Sequence, residues 1–357
     1  MPTAPVRNVP LAEYTTLGLG GPAETFQPVT STAELVDAVR AVDAAEGAEL
    51  LVLGGGSNLV VADEGFTGTV VYVDSSGVSS TGGDGGTVRV RADAGVEWDP
   101  FVARCVADGL SGIECLSGIP GRVGSTPIQN VGAYGQDVGQ TVAEVLVYDR
   151  EQGRNRVLSG AECGFAYRDS VFKGHTRYVV CEVVFELARS PLSRPVRYAE
   201  LARALGTEVG GRVPLADARE AVLELRRGKG MVLDPADPDS RSAGSFFTNP
   251  ILSASEFTEF GKRAAALLGP DTEPPAYPDT DGRVKTSAAW LIQHAGFAKG
   301  YTRGPARIST KHTLALTNPG GATTADLLAL AREVRAGVAE AFGITLVNEP
   351  VMVGVEL

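Results

Sequence analysis

Cysteine and histidine are scarce in this chain, with four and three residues in 357. Cys105, Cys115, Cys163 and Cys181 form no CxxC pair and no metal-type cluster, which excludes a disulfide framework and leaves buried, reduced thiols as the expectation. His175, His294 and His312 are too dispersed for a metal site or a catalytic triad, so no metal is expected, and His175 and His294 are read as structural or surface residues. No apolar run approaches the ~18 residues that a membrane span requires. The segment Met1 to Asn8 has no apolar core behind its one arginine, so no secretory signal is expected and cytoplasmic residence follows. Basic residues are outnumbered 32 to 43 and scattered, giving a net charge of -11 that argues against nucleic acid as a partner. An anionic ligand would need a local cationic pocket.

The length suffices for two or three domains, each with its own core. Ser31 to Gly47 reads as a helix: Ser31 and Glu34 suggest a capping box, Leu35, Val36, Val39 and Val42 share a face, and Gly47 is the stop. Leu50 to Leu53 reads as a buried strand emptying into Gly54-Gly55-Gly56-Ser57-Asn58, with further strands at 59–61 and 70–73. Ser75 to Gly86, rich in Ser, Gly and Thr, reads as a flexible connection. Alternation marks strands at 88–91 and 179–187, within one α+β domain. A helix is expected over about 215–227, an irregular stretch over Asp234 to Ser240, and a helix over 324–342 stopped by Gly343 and followed by a strand through Leu346 and Val347. The expected division is residues 1–78, 79–232 and 233–357, with the C-terminal strand able to return to the first part.

Gly18 to Ala23 matches GxGxxA, but no apolar strand precedes it and Pro22 and Pro28 bar a helix, so a Rossmann site is rejected; no Walker A sequence exists either. Two other loops suit an anionic cofactor. One is Gly54 to Asn58; the other is Ile119 to Gly135, seventeen residues without an acidic side chain. Their glycines let backbone N–H groups approach a phosphate, and their Ser, Thr, Asn and Gln side chains can bond phosphate or a polar ring edge.

Leu53-Gly54-Gly55-Gly56-Ser57-Asn58, then Ile119-Pro120-Gly121 and Pro127-Ile128-Gln129-Asn130-Val131-Gly132-Ala133-Tyr134-Gly135, resemble the enolpyruvoylglucosamine reductase family. So do Tyr167-Arg168-Asp169-Ser170-Val171-Phe172-Lys173, the run Ala243 to Pro250, and Asn348-Glu349-Pro350, in the family's order and over nearly the whole chain. The resemblance implies an α+β FAD-binding fold of the vanillyl-alcohol-oxidase type, made of two subdomains, with a C-terminal α+β substrate domain. It implies FAD held by Leu53, Gly54, Gly55, Gly56, Ser57, Asn58, Pro120, Gly121, Gly124, Ser125, Thr126, Gln129, Asn130, Gly132, Ala133, Tyr134 and Gly135. Neither loop contains a His or Cys that could tether the ring, so attachment is expected to be non-covalent. NADPH is the implied co-substrate, and the implied reaction is reduction of UDP-N-acetylglucosamine enolpyruvate to UDP-N-acetylmuramate in peptidoglycan precursor synthesis, by a monomer.

The resemblance gives Arg168 the enolate that forms beside the substrate carboxylate, Ser245 the proton delivered to the enolate carbon, and Glu349 a share in stabilising or protonating the intermediate. A fixed guanidinium suits a developing oxyanion, and a serine needs aligned neighbours to act as an acid. Tyr167, Tyr198, Lys229, Asn249 and Lys311 are the implied substrate contacts, Tyr198 belonging to the version with an extra loop over the diphosphate. Thr248 stands where relatives commonly carry lysine, and the segment after Lys229 is longer, both departures bearing on the diphosphate. With no second nucleotide domain in view, NADPH and substrate are expected to alternate in one pocket. Two other readings remain open at this level: an oxidase of the same fold, which air would reoxidise, and a binding protein without turnover.

Overall fold

Val183, Phe185 and Leu187 alternate along one long strand, Tyr178–Arg189, in the computed structural model of this chain, which describes residues 4–82 and 84–357. That strand is central to an antiparallel sheet running Arg154–Ser159, Val142–Asp149, Tyr178–Arg189, Thr87–Asp93, Val78–Gly82, with Leu110–Ser111 also pairing to it. The two strands expected from alternation are direct partners, Val183 opposite Ala92 and Phe185 opposite Val90. Phe185 meets Trp98 and Phe101 of the helix Trp98–Ala107 at ring distances of 5.8 and 5.2 Å. Burying each such side chain stabilises the fold by roughly 1.5–3 kcal/mol. The indole N–H, which would be costly to bury unpaired, donates to the carbonyl of Leu116 at 3.0 Å.

The chain divides into two compact units. The first comprises Met1–Val9, Ala23–Gly56 and Thr67–Gly228, and the second Pro10–Pro22, Ser57–Phe66 and Lys229–Leu357. Besides the large sheet, the first unit contains a smaller one in the order Val6–Pro10, Pro22–Val29, Phe66–Val73, Leu50–Leu53, its last pair parallel. Helix Thr32–Asp43 packs its buried Leu35, Val36, Val39 and Val42 beside it. Ser31 caps the helix as expected, but the capping box does not close. The Glu34 carboxylate accepts from the N–H and hydroxyl of Thr30 at 2.8 and 2.9 Å, one residue too early, and the helix ends at Asp43, short of Gly47.

Three further expectations change. Ser75 to Gly86 holds the strand Val78–Gly82, hidden because an edge strand with only Val78 partly buried shows no apolar alternation. Pro238–Ser240 forms a single 3-10 turn, entered through Pro238 and capped by Asp237. The C-terminal strand is Val351–Val353, not Leu346–Val347: Val347 only takes the N–H of Thr248 in an isolated contact, and the next residue, Asn348, bridges Phe247, with no ladder. That strand pairs in parallel with Leu59–Val61, from the N-terminal part of the sequence. The helices Leu215–Arg227 and Thr324–Phe342 stand where expected, the second closed by Gly343 in the left-handed region at φ +72°.

The second unit buries Phe246, Phe247, Phe260 and Phe342 among the helices Ala254–Leu268, Ala288–His294 and Thr324–Phe342. The N-terminus of the last helix is capped twice: by the Thr323/Asp326 box and by Asp63, whose carboxylate takes the N–H groups of Thr324 and Ala325 at 2.7 and 2.9 Å. The rejected GxGxxA stretch leads into the strand Pro22–Val29, with no helix. Gly21 is glycine for a packing reason, since a Cβ there would lie 2.1 Å from the carbonyl oxygen of Asp63.

Candidate active site

In the first unit the two glycine loops touch back to back. A Cβ at Gly55 would lie 2.7 Å from the Cα of Gly121, and one at Gly54 would lie 2.6 Å from the Ser125 hydroxyl. Gly124 presses on Ala94, where a Cβ would come within 2.4 Å. Gly54 and Gly55 are therefore required by contact with the second loop and Gly124 by contact with Ala94, and glycine-rich backbones packed in this way suit the cradle that a dinucleotide's phosphates need. Arg122, the single charged residue of the second loop, was not singled out from sequence. Its guanidinium lies over the Tyr72 ring at 4.9 Å, bonds the Tyr72 hydroxyl and the Gly95 carbonyl, and pairs with Asp74 at 2.8 Å, pinning the loop to the strand Phe66–Val73. A lone arginine in an otherwise neutral run was the available signal.

The far half of the second loop is tied to the turn carrying Arg168. Asn130 donates through Nδ2 to the carbonyl of Ala166 at 2.9 Å and accepts through Oδ1 from the N–H of Gly139 at 2.9 Å. Both ends of its amide are thus engaged by the protein, and its backbone is engaged too, the N–H donating to the carbonyl of Pro127 at 3.3 Å and the carbonyl accepting from Arg168 at 3.5 Å. Arg168 donates to the carbonyl of Gly132 at 2.7 Å and stands 5.5 Å over the ring of Tyr167, itself 42% exposed. Asn130, Tyr134 and Arg168 all have left-handed backbones, at φ +46°, +49° and +53°. Three such non-glycine residues in two adjoining segments are a concentration of strain, which proteins retain where the geometry is needed. A cavity of about 420 Å³ is lined here by Asn130, Phe165, Tyr167 and Arg168, among others.

Tyr198 also joins this region. Its ring meets that of Tyr134 edge to face at 5.6 Å, and a Cβ on Gly135 would lie 2.8 Å from the Cβ of Arg197. Behind Tyr134, Arg226 is pushed down to about 10 by burial, opposed by the neighbouring Tyr134 and Asp99. The four cysteines are buried and free; desolvation pushes Cys105, Cys163 and Cys181 up to about 12 and Cys115 up as well, so none is a ready nucleophile.

The second unit collects Asn58, Ser245 and Glu349 by strand-like pairing. The N–H of Glu349 donates to the carbonyl of Phe246 at 2.9 Å, Phe247 bridges Asn348, and the side-chain amide of Asn58 reaches the carbonyl of Glu349 at 3.4 Å. Ser245 adjoins Phe246 in the chain, the residue whose carbonyl takes the Glu349 N–H, and both Ser245 and Glu349 are half-buried. Asn249 accepts from the N–H of Ala288 at 3.0 Å, which fixes it to the start of a helix, and Thr248 is bonded to the carbonyl of Val347. Lys229 opens the main segment of this unit, and the next residue, Gly230, packs on the backbone of Asp239. Lys311 pairs with Asp237 at 2.7 Å, and that carboxylate holds its ammonium above the usual lysine value. His312 accepts through Nδ1 from the N–H of Leu314, while His294 stacks on Trp290 at 4.1 Å; both have structural contacts.

Residues 24–159 match the model of a FAD binding domain, and residues 235–353 match that of the UDP-N-acetylenolpyruvoylglucosamine reductase C-terminal domain. Together with the glycine cradle, this defines a flavin-dependent oxidoreductase, with FAD as cofactor and NADPH as co-substrate. A UDP-N-acetylenolpyruvoylglucosamine reductase from Thermobifida fusca is 74% identical over all 357 residues, covering 100% of both chains. One from Streptomyces coelicolor is 60% identical, covering 100% of this chain and 92% of its own. The crystal structure of the Thermus caldophilus reductase superposes with a TM-score of 0.65 at 26% identity, over 98% of each chain. The chain belongs to the UDP-N-acetylenolpyruvoylglucosamine reductase family. The expected fold class stands with it: a FAD-binding fold of the vanillyl-alcohol-oxidase type and a C-terminal α+β domain.

Proposed function

We propose that this protein reduces UDP-N-acetylglucosamine enolpyruvate to UDP-N-acetylmuramate with NADPH, in peptidoglycan precursor synthesis, and that Arg168, Ser245 and Glu349 carry the chemistry. What supports the cofactor end is the contact between Gly55 and Gly121, a backbone-to-backbone approach that only glycine permits. FAD held by the residues of the two glycine loops would supply hydride chemistry, carrying the reducing equivalent of NADPH to the terminal carbon of the enolpyruvyl group. The chain's own residues handle the charge and the proton. As the terminal carbon gains the hydride, negative charge spreads from the adjacent carbon into the carboxylate, where the Arg168 guanidinium favours it. The Ser245 hydroxyl gives its proton to that adjacent carbon, completing the saturated lactyl ether, and Glu349 beside it supports the transfer.

The residues of the two glycine loops hold the cofactor in this reading. Tyr167, Tyr198, Lys229, Asn249 and Lys311 contact the sugar nucleotide; Lys311 would exchange Asp237 for a phosphate oxygen. NADPH and substrate take turns in one pocket. The protein is a monomer of the cytoplasm, divided at about residues 78 and 232, and serves cell shape, division and the cell cycle through the wall.

The test is anaerobic. NADPH should bleach the flavin absorbance of the purified protein, and UDP-N-acetylglucosamine enolpyruvate should restore it. Recovery only on admitting air would favour an oxidase, and absence of flavin a binding protein.

A further inference from the structure

Arg168 occupies the third position of a tight turn, Ala166 to Asp169, closed by the N–H of Asp169 on the carbonyl of Ala166 at 3.3 Å. With φ at +53°, that position is one that glycine or asparagine normally fills. An arginine there works against its own backbone preference, so something must hold the turn. The carbonyls on either side of Tyr167 are both clamped by side chains: that of Ala166 by Asn130 at 2.9 Å, and that of Arg168 by the ammonium of Lys173 at 2.6 Å. Lys173 is a firm post. Phe172 beside it is buried, its N–H bonds the Ser170 hydroxyl, and that hydroxyl bonds the carbonyl of Ile128 at 2.7 Å. Lys173 is half-buried, and its ammonium donates a charge-assisted bond to a peptide carbonyl.

We propose that Lys173 is a positioning residue, which locks the left-handed turn and so aims the Arg168 guanidinium. The proposal rests on the assignment of Arg168 to the substrate reaction. Without the clamp the turn relaxes and the guanidinium loses its fixed aim. Binding of FAD and its reduction by NADPH draw on other residues and are unaffected.

Lys173→Met, Lys173→Arg, Arg168→Ala and the double variant Lys173→Met/Arg168→Ala would be compared as flavin-loaded enzymes. In Lys173→Met, reoxidation of the reduced flavin by UDP-N-acetylglucosamine enolpyruvate should slow by roughly 10- to 100-fold, the scale of a misplaced catalytic group. Reduction by NADPH and flavin content should match the parent, Lys173→Arg should restore most of the rate, and the amide of Asp169 should exchange with deuterium faster in Lys173→Met. In the double variant the Lys173 change should add nothing to Arg168→Ala, because the two act as one unit. Parental reoxidation by Lys173→Met alongside a slow Arg168→Ala would overturn the role of Lys173 alone. Parental reoxidation by Arg168→Ala would remove both assignments. Equal slowing of both half-reactions with loss of flavin would reduce Lys173 to a general structural part.

Discussion

The two units hold their key side chains by different means. In the second, the segments that carry Ser245 and Glu349 are joined by ordinary extended contacts of Phe246 and Phe247 with Glu349 and Asn348, and neither Ser245 nor Glu349 has a left-handed backbone. In the first, Arg168 sits on a turn in a conformation costing about 1–2 kcal/mol, held by Asn130, Lys173 and its own bond to Gly132. Strand pairing places a residue at almost no cost to its own backbone, whereas a guanidinium that must point out of a tight turn needs dedicated clamps. Changes in the first unit should therefore be able to separate stability from activity, and changes at Ser245 should remove activity without touching the scaffold.

The largest effect is expected at Ser245. Ser245→Ala should lower reoxidation of reduced flavin by the enolpyruvyl sugar nucleotide by about 10²- to 10⁴-fold, the range for a lost general acid, with NADPH reduction intact. Stopped-flow absorbance reads both steps, and a parental rate would show that the proton comes from elsewhere. Next comes Gly55→Ala. Its Cβ would meet the backbone of Gly121 at 2.7 Å, so one loop must shift, and flavin affinity should fall about tenfold or more, equivalent to 1.4 kcal/mol; flavin released on dilution measures it.

The smallest effect concerns pH and sharpens the contrast by testing the scaffold of the first unit alone. The Asp149 carboxylate is fully buried and bonded by Arg177 at 2.8 Å, which holds it down to about 2 against an ordinary 3.8. Because the folded value is the lower one, this contribution is complete above about pH 4 and is lost as pH falls toward 2. Asp149→Asn should therefore flatten the decline in thermal midpoint across that window and leave turnover at neutral pH unchanged. An unaltered acid limb would assign the acid sensitivity to other carboxylates.

Much of this architecture was legible in the residues. Helix Thr324–Phe342 follows from apolar periodicity and a glycine stop, and helix Leu215–Arg227 from the proline breaks that end at Pro214, signals that lie in or next to the element itself. The glycine loops were legible as glycine-rich, but not the reason for it, since the contact of Gly55 with Gly121 joins positions far apart in sequence. Strand Val78–Gly82 escaped notice because Ser and Thr on an exposed edge carry no burial pattern. Arg168 was legible as a motif residue, while its left-handed backbone was not: arginine has no propensity for that conformation, and the clamps come from Asn130 and Lys173 on either side of it in sequence.

Arg168→Asn tests the central contrast most directly, since asparagine accepts the left-handed backbone but carries no guanidinium. Thermal midpoint and the rate of reoxidation by UDP-N-acetylglucosamine enolpyruvate would be measured on the same preparation. A midpoint within a few degrees of the parent, with reoxidation slowed by about 10²- to 10³-fold, is the predicted result: the strain serves the reaction. Parental reoxidation, or a collapse in stability with the rate preserved, would contradict it and make Arg168 a part of the fold.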